Sequence, residues 1–540
     1  MNRVLVLGGY GGFGARLSRR LAGDGWTVIV AGRDLERARA FAATLEEAEA
    51  VCADREADLA PVLAEMKPDL LVDAAGPFQA SSYRVPQACI AAGAHYLDLA
   101  DARDFVGGIG ALDGAAQRAG VAVVGGASTL PALSGAVVRE LSEGLDRVDA
   151  IEIALSAAGP SVASRSVAEA MLSYAGRPIR LWRGRRTTEA PGCGEPRRVR
   201  FAVDGSQSLM RTVLLAEVPD LDLLPDRVAG RPAVAFRAGN EFAIQLAALR
   251  LLAWPVRRGR VRSLRPLAGV LAPIQRAFAR FGSDRSAMAI EIKGWRGGEG
   301  VVRRWTVIAE RGEGPEIPVL AAQLLARRLR EGALAPGACD GGGLLSLDDF
   351  RPLLGELALR EQTTEEPFAP LYARAMGTHF AELPAPVRAM HRIAGDGGGE
   401  GEGEVRRGTG LLARMVGAVM GFPPEGRYPV HVAFAERGGT ERWSRHFGRH
   451  RFHSEMSLAG AGVAERFGPL RFAFDLIPQP DGLAMKLRRW TAFGVPLPLF
   501  LGPRIAASER AEGEDFVFDV AVALPWAGPV VHYRGRLRRL

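Results

Sequence analysis

The chain has 540 residues, more than one hydrophobic core usually organises, so two or three domains are expected. Its composition, 48% hydrophobic and 24% charged, excludes a disordered or fibrous chain. The net charge of +8 comes from arginines spread along the chain, because only Lys67, Lys293 and Lys486 are lysines. This even spread argues against a nucleic-acid-binding patch.

The four cysteines favour neither a disulfide framework nor a zinc site, because they are far apart and form no C-x-x-C pair. They are Cys52, Cys89, Cys193 and Cys339. No signal peptide is predicted, since an apolar strand already begins at Val4. No apolar run approaches the ~20 residues of a spanning helix. We therefore expect a cytoplasmic protein, and contact with a membrane surface remains open.

The first stretch of the chain predicts a dinucleotide-binding turn. An apolar run at residues 4–7 is followed by a glycine-rich turn and then by a helical pattern at 15–22. Gly9, Gly11 and Gly14 fit G-x-G-x-x-G in the strand–turn–helix context that the motif requires. The alternative is a glycine-rich turn in an ordinary α/β protein. The predicted cofactor-binding residues here are Gly8, Gly9, Tyr10, Gly11, Gly12, Phe13 and Gly14.

The end of the second predicted strand, residues 27–31, indicates which dinucleotide is bound. Arg33 follows this strand, and a guanidinium can pair with the 2′-phosphate of NADP. The alternative is that Asp34 binds the ribose of NAD, but Asp34 is better placed to cap the helix predicted at 35–43. We therefore expect NADP rather than NAD, with Asp54 after the third strand as an acceptor for the adenine amino group.

Further strands are predicted at 49–53, 69–74, 96–99 and 121–124, and helices alternate with them. This rhythm is typical of a doubly wound parallel sheet of the Rossmann type, in which ligands lie beyond the carboxyl ends of the strands. Three such strand ends, at 76–78, 98–101 and 125–131, are therefore candidate ligand-binding positions. The predicted cofactor-binding residues there are Ala75, Gly76, Pro77, Phe78 and Ser128.

Four segments in this order resemble the saccharopine dehydrogenase-like oxidoreductases, namely residues 9–14, 74–78, 95–99 and 126–131. The resemblance extends over about residues 1–355. It implies an NAD(P)-binding domain, a following α+β domain that covers the active site and often dimerises, and a Gly76-Pro77-Phe78 turn near the nicotinamide. Relatives often carry Gly-Glu where this chain has Ala100-Asp101. Asp101 has an alternative role as the cap of a helix beginning near Arg103.

The middle region, residues 132–358, is predicted to be an α+β substrate or dimerisation domain whose last helices return to the Rossmann domain. Alternating strands are predicted at 150–155 and 199–203, and a hairpin joins 287–293 to 301–308. Residues 250–281 hold eight arginines and no acid among many apolar residues. This segment fits a basic amphipathic surface on anionic lipid, an entry for an acyl substrate, or a solvated helix pair.

The C-terminal region, residues 366–540, is predicted to be a mainly-β barrel or sandwich, because short strands follow one another from residue 430 onward. Residues 360–367 are predicted to be a linker, and the glycine- and glutamate-rich residues 395–404 a flexible loop. The closely spaced residues His446, His450 and His453 suggest a metal site. The sequence shows no fourth ligand, so no metal is predicted. Residues 465–470 and 494–499 resemble an uncharacterised domain fused to some of these oxidoreductases.

Together these features predict an NADP-dependent oxidoreductase acting on a small-molecule or lipid-like substrate, with no nucleic-acid partner. The candidate catalytic residues are Tyr83, His95, Asp98 and Asp101, and Ser128 and Thr129 are candidate hydrogen-bonding groups. The alternative is a non-catalytic NADP-binding sensor or scaffold whose C-terminal domain binds lipid.

Overall fold

The computed structural model describes residues 2–158, 165–279 and 281–540. In its first region, up to residue 142, strands alternate with helices. The strands are short apolar runs such as Val4–Leu7, and they are buried because helices cover both faces of the sheet. The strands are β1 (Arg3–Leu7), β2 (Thr27–Gly32), β3 (Ala48–Cys52), β4 (Leu70–Asp73), β5 (His95–Asp98) and β6 (Ala122–Gly125). The helices are α1 (Gly14–Gly23), α2 (Leu35–Ala42), α3 (Ala60–Met66), α4 (Arg84–Ala92), α5 (Arg103–Gly108), α6 (Asp113–Ala119) and α7 (Ser134–Ser142).

The middle region contributes a second sheet and a return to the first. Its strands are β7 (Arg147–Ala157), β8 (Pro178–Arg183), β9 (Arg186–Pro191), β10 (Arg197–Phe201), β11 (Leu209–Leu215), β12 (Ala233–Asn240), β13 (Ser286–Arg296), β14 (Glu299–Ala309), β15 (Gly337–Asp340) and β16 (Leu359–Phe368). Its helices are α8 (Arg165–Tyr174), α9 (Asp220–Arg227), α10 (Ala243–Leu252), α11 (Trp254–Arg257), α12 (Ala268–Ala279), α13 (Ile317–Arg330) and α14 (Leu347–Gly355).

The first sheet is all-parallel in the order β15-β6-β5-β4-β1-β2-β3. The chain adds β2 and β3 on one side of β1 and β4 to β6 on the other, so the strand order switches between β1 and β4. A crevice therefore opens beside the glycine turn, at the carboxyl ends of these two strands. The Rossmann fold expected from the sequence is thereby confirmed. Strand β15, close to the end of the middle region, completes the far edge.

The second sheet has the order β10-β11-β12-β7-β13-β14-β16 and is antiparallel except for the parallel pair β12–β7. Apolar residues on its inner face, among them Ile151, Phe236 and Ile290, share one core with helices α1, α7 and α13. This shared core fixes the second sheet over the first. The α+β middle region predicted from its strand pattern is confirmed.

Residues 360–367 are not the linker that the sequence suggested, because they form the edge strand β16, which pairs with β14 along its whole length. An edge strand is partly exposed to solvent, so its amino-acid composition can be as polar as that of a linker. The charges have partners on the neighbouring strands. Glu365 accepts from Arg303 and from Arg296 at 2.7 Å each, and Glu361 accepts from the indole of Trp305 at 2.7 Å.

The C-terminal region is a closed antiparallel barrel, which decides between the predicted barrel and sandwich. Its strands are β17 (Asp396–Arg407), β18 (Gly426–Arg437), β19 (Thr440–Phe447), β20 (His450–Ala459), β21 (Gly462–Phe467), β22 (Leu470–Gln479), β23 (Gly482–Ala492), β24 (Val495–Leu497), β25 (Arg504–Glu512), β26 (Asp515–Leu524) and β27 (Gly528–Arg539). Pairing of β22 with β23 closes the ring, and β24 extends β23 outside it. The helices are α15 (Leu371–Met376), α16 (His379–Glu382), α17 (Ala385–His391) and α18 (Leu411–Val419).

The glycine-rich residues 395–404 are the largest correction to the sequence-based expectation. The sequence suggested a flexible loop, but residues 396–404 belong to β17, a strand of the barrel wall that pairs with β18 and β27. The glycines are needed because neighbouring backbone is too close for side chains. A Cβ on Gly398 would lie 2.5 Å from the carbonyl oxygen of Gly184, and one on Gly401 would overlap the carbonyl oxygen of Arg536.

The barrel is joined to the middle region through the β8–β9 turn. The carboxylate of Asp396 accepts from the amide of Gly184 at 2.9 and 3.1 Å, and Nε2 of His431 lies 2.8 Å from the carbonyl oxygen of the same glycine. Burial raises the pKa of Asp396 to about 7. An ion pair of 2.7 Å between Lys293 and Glu436 adds to this joint.

Replacement of Gly401 tests the account of β17. We expect Gly401→Ala to lower the free energy of unfolding by about 1–3 kcal/mol, since its methyl group has no room beside the Arg536 carbonyl. Gly410→Ala is the matched control, because its methyl group would meet only the Ala527 oxygen at 3.8 Å. Thermal and urea unfolding measure both. Equal stability of the two variants would contradict the close packing of β17.

Candidate active site

The glycine turn brings the start of α1 against the end of β1. A Cβ on Gly14 would overlap the carbonyl oxygen of Gly8, and one on Gly9 would lie 2.8 Å from the carbonyl oxygen of Val6. Gly8 itself has φ +77°, which favours glycine. No side chain caps the N-terminus of α1, so the positive end of its dipole is open to a phosphate, although the amide of Ala15 already donates to the carbonyl of Gly11 at 2.9 Å.

At the end of β2, the structure confirms Asp34 as the cap of α2, because its carboxylate accepts from the amide of Arg37 at 3.1 Å. The hydroxyl of Tyr10 accepts from the amide of Asp34 at 3.0 Å, which ties the glycine turn to the end of β2. Arg33 is exposed beside this junction. The carboxylate of Asp54 accepts from the amide of Glu56 at 3.1 Å and so shapes its own turn.

The turn after β4 lies directly beside the glycine turn. A Cβ on Gly8 would be 3.1 Å from Cα of Ala75, and Gly76 is exposed at this edge. Phe78 is buried instead, with its ring 5.4 Å from that of Phe105 and 4.7 Å from the guanidinium carbon of Arg55. The next residue along, Gln79, lines a cleft between the two sheets.

This cleft has a volume of 310 Å³ and begins where the glycine turn ends. Phe13, Gln79, Asp101, Ser128 and Thr129 line it from the Rossmann side. Most of the remaining lining residues are apolar, and many of them come from α8, α10 and the second sheet. The arrangement is that of a small-molecule site with a few polar groups in an apolar enclosure.

Three ionisable side chains face one another across the cleft. Asp101 accepts from the side-chain amide nitrogen of Gln79 at 3.2 Å. Packing around its carboxyl group raises its pKa, although the residue is exposed at the cleft opening. Burial likewise raises the pKa of Glu217, although Arg103 lies 3.7 Å away and opposes this effect. The pKa of Tyr174 is raised well above 10 by burial and by the charges of Cys193, Asp101 and Glu217. Asp101 does not cap α5, whose cap position is Ala102.

The structure does not bring the other candidate catalytic residues to the cleft wall. His95 lies at the amino end of β5, across the sheet from the glycine turn, and its Nδ1 accepts from the amide of Ala122 at 2.9 Å. The hydroxyl of Tyr83 donates to the carbonyl of Phe105 at 2.8 Å. Asp98 is fully buried and accepts from the amides of Gly126 and Ala100 at 2.7 and 2.9 Å. Asp98 therefore positions the two loops that carry Asp101 and Ser128.

Sequence reasoning missed the cleft residues of the middle region, Tyr174 and Glu217, and also Gln79. Gln79 could have been predicted from the sequence, because it directly follows the candidate strand end at 76–78. Tyr174 ends a helix and Glu217 follows an antiparallel strand, so their approach to the Rossmann edge depends on how the two sheets pack. No local pattern carries that information.

The basic segment at 250–281 forms the end of α10, then α11 and α12. Its inner side, including Ala253, Val256 and Leu264, packs on α8. Its outer side exposes Leu251, Val270 and Phe281. The side chain of Arg276 and all of Arg280 lie outside the described residues. Within the described part of the chain, no helix is both long and apolar enough to cross a membrane.

The three histidines lie on β19 and β20, joined by the turn at Gly448-Arg449 that the sequence predicted. His446 faces Arg451 across the strand pair, and His453 faces Ser444. In the ranges that the structure describes, no cluster of three His, Cys, Asp or Glu side chains could hold a metal ion.

The chain thus contains a dinucleotide-binding domain covered by a second sheet. Residues 4–124 match the family model of the saccharopine dehydrogenase NADP binding domain, which confirms the resemblance over that range and supports a dehydrogenase-type role. Residues 383–537 match a domain of unknown function, DUF4166, which confirms the resemblance to an uncharacterised domain. No curated protein matches the chain.

Among solved structures, apo saccharopine dehydrogenase (L-Glu forming) from Saccharomyces cerevisiae is 13% identical and has a TM-score of 0.46. The match covers 67% of this chain and 100% of that chain. An alternative dihydrofolate reductase from Brucella canis, complexed with NADP, is 21% identical over 18% of this chain and 54% of that one, with a TM-score of 0.15. The enzyme WbmG from Bordetella bronchiseptica, in complex with NAD, is 18% identical over 18% and 36%, with a TM-score of 0.16.

Titration of Asp98 gives a prediction for stability. Burial raises the pKa of Asp98 from 3.8 to about 7, so its stabilising contribution is complete below pH 3.8 and is lost as the pH rises through 7. We expect Asp98→Asn, which stays neutral and still accepts from both amides, to escape this loss. As the pH rises from 5 to 8, the free energy of unfolding of the variant minus that of the wild type should increase by ~2–3 kcal/mol.

Urea unfolding at several pH values measures this difference. Asp104→Asn serves as the control, since Asp104 is exposed on the neighbouring helix. A constant difference between Asp98→Asn and the wild type across this pH range would show that Asp98 keeps an ordinary pKa.

Proposed function

We propose that the protein is an NADP-dependent oxidoreductase whose substrate lies in the cleft between the two sheets. The observation that carries this proposal is that Phe13, at the end of the glycine turn, lies with Asp101 and Ser128 in the wall of one cleft. A turn built for a dinucleotide thus opens directly onto a substrate-sized space that contains a carboxyl group.

The residues of the turn fit NADP. A Cβ on Gly12 would meet no atom within 4 Å, so there is open space beside this backbone for a pyrophosphate. The N-terminus of α1, which has no side-chain cap, favours negative charge at the same place. Arg33 is exposed at the end of β2, where a 2′-phosphate distinguishes NADP from NAD.

Bound NADP(H) supplies or accepts a hydride at its nicotinamide ring. Asp101 then handles the accompanying proton at the substrate oxygen or nitrogen, giving it up during reduction and taking it back during oxidation. Its raised pKa suits this work, because the carboxyl group holds its proton closer to neutral pH. Gln79 orients Asp101, and Ser128 and Thr129 offer hydroxyl groups to the substrate.

The walls of the cleft favour a substrate with an apolar part. Apolar side chains such as Met171, Phe236 and Leu246 line it on the middle-region side. The helices behind them, α8 and α10, pack against α11 and α12, whose outer side exposes apolar and arginine side chains. A lipid-like substrate at an anionic membrane surface fits this arrangement, with residues 250–281 as the contact.

Exchange of Arg33 tests the cofactor. We expect Arg33→Asp to weaken NADPH binding by about tenfold or more, because one charge-assisted contact to the 2′-phosphate is lost, and to leave NADH binding little changed. Calorimetric titration with both cofactors measures this effect. Arg39→Asp makes the same change of charge at an exposed residue of α2 that pairs with Glu36, and it should have no such selectivity. Unchanged NADPH affinity in Arg33→Asp would rule out this phosphate site.

Exchange of Asp101 tests the chemistry. Purified protein with NADPH is first incubated with polar-metabolite and lipid extracts, and loss of NADPH absorbance identifies the active fraction. We expect Asp101→Asn to lower kcat with that substrate by about 10²–10⁴-fold while NADPH affinity is kept. Asp104→Asn, outside the cleft, should keep full activity. If no extract consumes NADPH, a non-catalytic NADP sensor is favoured over an enzyme.

A further inference from the structure

The barrel has one closed end and one open end. Helices α15 and α17 precede β17 and lie at the end where β17 begins, and their side chains Tyr372, Val387 and Met390 belong to the barrel core. The joint to the middle region, at Asp396 and Glu436, is at this same end. At the opposite end, α18 links β17 to β18, lines the cavity with Leu412 and Val416, and exposes Leu411 and Val419.

Large apolar side chains are exposed around the open end. They come from α18, from the segment between β23 and β25, and from the turn between β26 and β27. Each is more than half exposed, and together we call them the rim: Leu411, Met415, Val419, Phe493, Phe500 and Trp526. Several large exposed apolar side chains at one end of a barrel are typical of a site of contact with apolar molecules.

Behind the rim lies a cavity of 560 Å³ inside the barrel. Its wall is mostly apolar, with Met456, Phe472, Phe474, Met485, Val520 and Val522 among the lining residues. Protein interiors are normally packed without voids much larger than a water molecule, so a cavity of this size is suited to a ligand.

Three charged side chains interrupt the apolar wall. Arg445 donates to Glu465 at 3.1 Å and to the hydroxyl of Ser454 at 2.8 Å. Glu509, the third, lies 2.6 Å from Nε2 of the buried His391, whose ring stacks on Tyr372 at 3.6 Å. Among the described lining residues, one positive and two negative charges leave a net charge of −1.

His391 is not one of the lining residues, so it adds no group to this count of charges. Its Nε2 lies 2.6 Å from Glu509, and its buried Nδ1 has no hydrogen-bond partner among the described residues. Carboxylate oxygens are acceptors only. The polar side of the cavity therefore offers acceptors in excess and repels an anion.

We propose that the C-terminal barrel binds a long-chain amphiphile that enters past the rim, with a hydrogen-bond-donating end group, hydroxyl or amine, directed to Glu509 and Glu465. The hydrocarbon chain lies against the apolar wall between these acids and the rim. This site is separate from the NADP-dependent cleft, and the proposal does not depend on the oxidoreductase function.

The test uses the full chain without NADPH. The neutral fluorophore 1-aminoanthracene is bound to the protein and displaced by three probes of equal chain length, hexadecan-1-ol, hexadecylamine and hexadecanoate. We expect the alcohol and the amine to displace it at concentrations at least about tenfold lower than the carboxylate, which is the difference that one charge-assisted contact makes. A stronger response to the amine than to the alcohol would identify a cationic ligand, and equal responses a neutral one.

Two variants connect the result to the cavity. Glu509→Gln keeps an acceptor for His391 but removes the charge, so the preference for amine over carboxylate should shrink by about tenfold. Ala507→Phe fills the cavity and should abolish binding of all three probes, whereas Ala506→Phe, on the exposed side of the same strand, should not. Preferred binding of hexadecanoate, or undiminished binding by Ala507→Phe, would overturn the proposal, as would failure of every probe to bind.

Discussion

The shared direction of the strands in the parallel sheet is the constraint on which the rest of the structure depends. Because β1, β4, β5 and β6 all end at one edge, residues as distant in sequence as Phe13, Gln79, Asp101 and Ser128 come together there. Asp98 strengthens this convergence by accepting from two loops at once. The second sheet, packed through α7 and α13, then encloses the edge as a cleft.

The same constraint explains which half of the candidate site could be predicted from the sequence. The Rossmann half follows from local patterns, because an apolar run, a glycine turn and a helix need no knowledge of distant contacts. The other half depends on how the second sheet lies over the first. Glu217 and Tyr174 reach the cleft from elements whose own sequences indicate only a strand and a helix. His95 is the opposite case. Its sequence motif made it a candidate for the site, but it lies at the amino end of β5, across the sheet from the cleft.

Segments whose composition imitates a loop were predicted least well. Strand β17 is rich in glycine because Gly398 and Gly401 meet neighbouring backbone, and a flexible loop has the same composition for a different reason. Strand β16 is polar because it lies at an edge, where Glu365 meets two arginines. In both cases the decisive contact comes from a partner strand distant in sequence, and single-sequence patterns do not report such a partner.

The position of the joint between the barrel and the middle region bears on how the two cavities relate. Asp396, His431 and Gly184 form a buried polar contact on the outer face of β17 and β18, because His431 alternates with the core residues Val430 and Val432. The barrel wall therefore separates the cavity from this joint, and the rim lies at the end of the barrel away from it. Transfer between the barrel and the cleft would pass outside the protein.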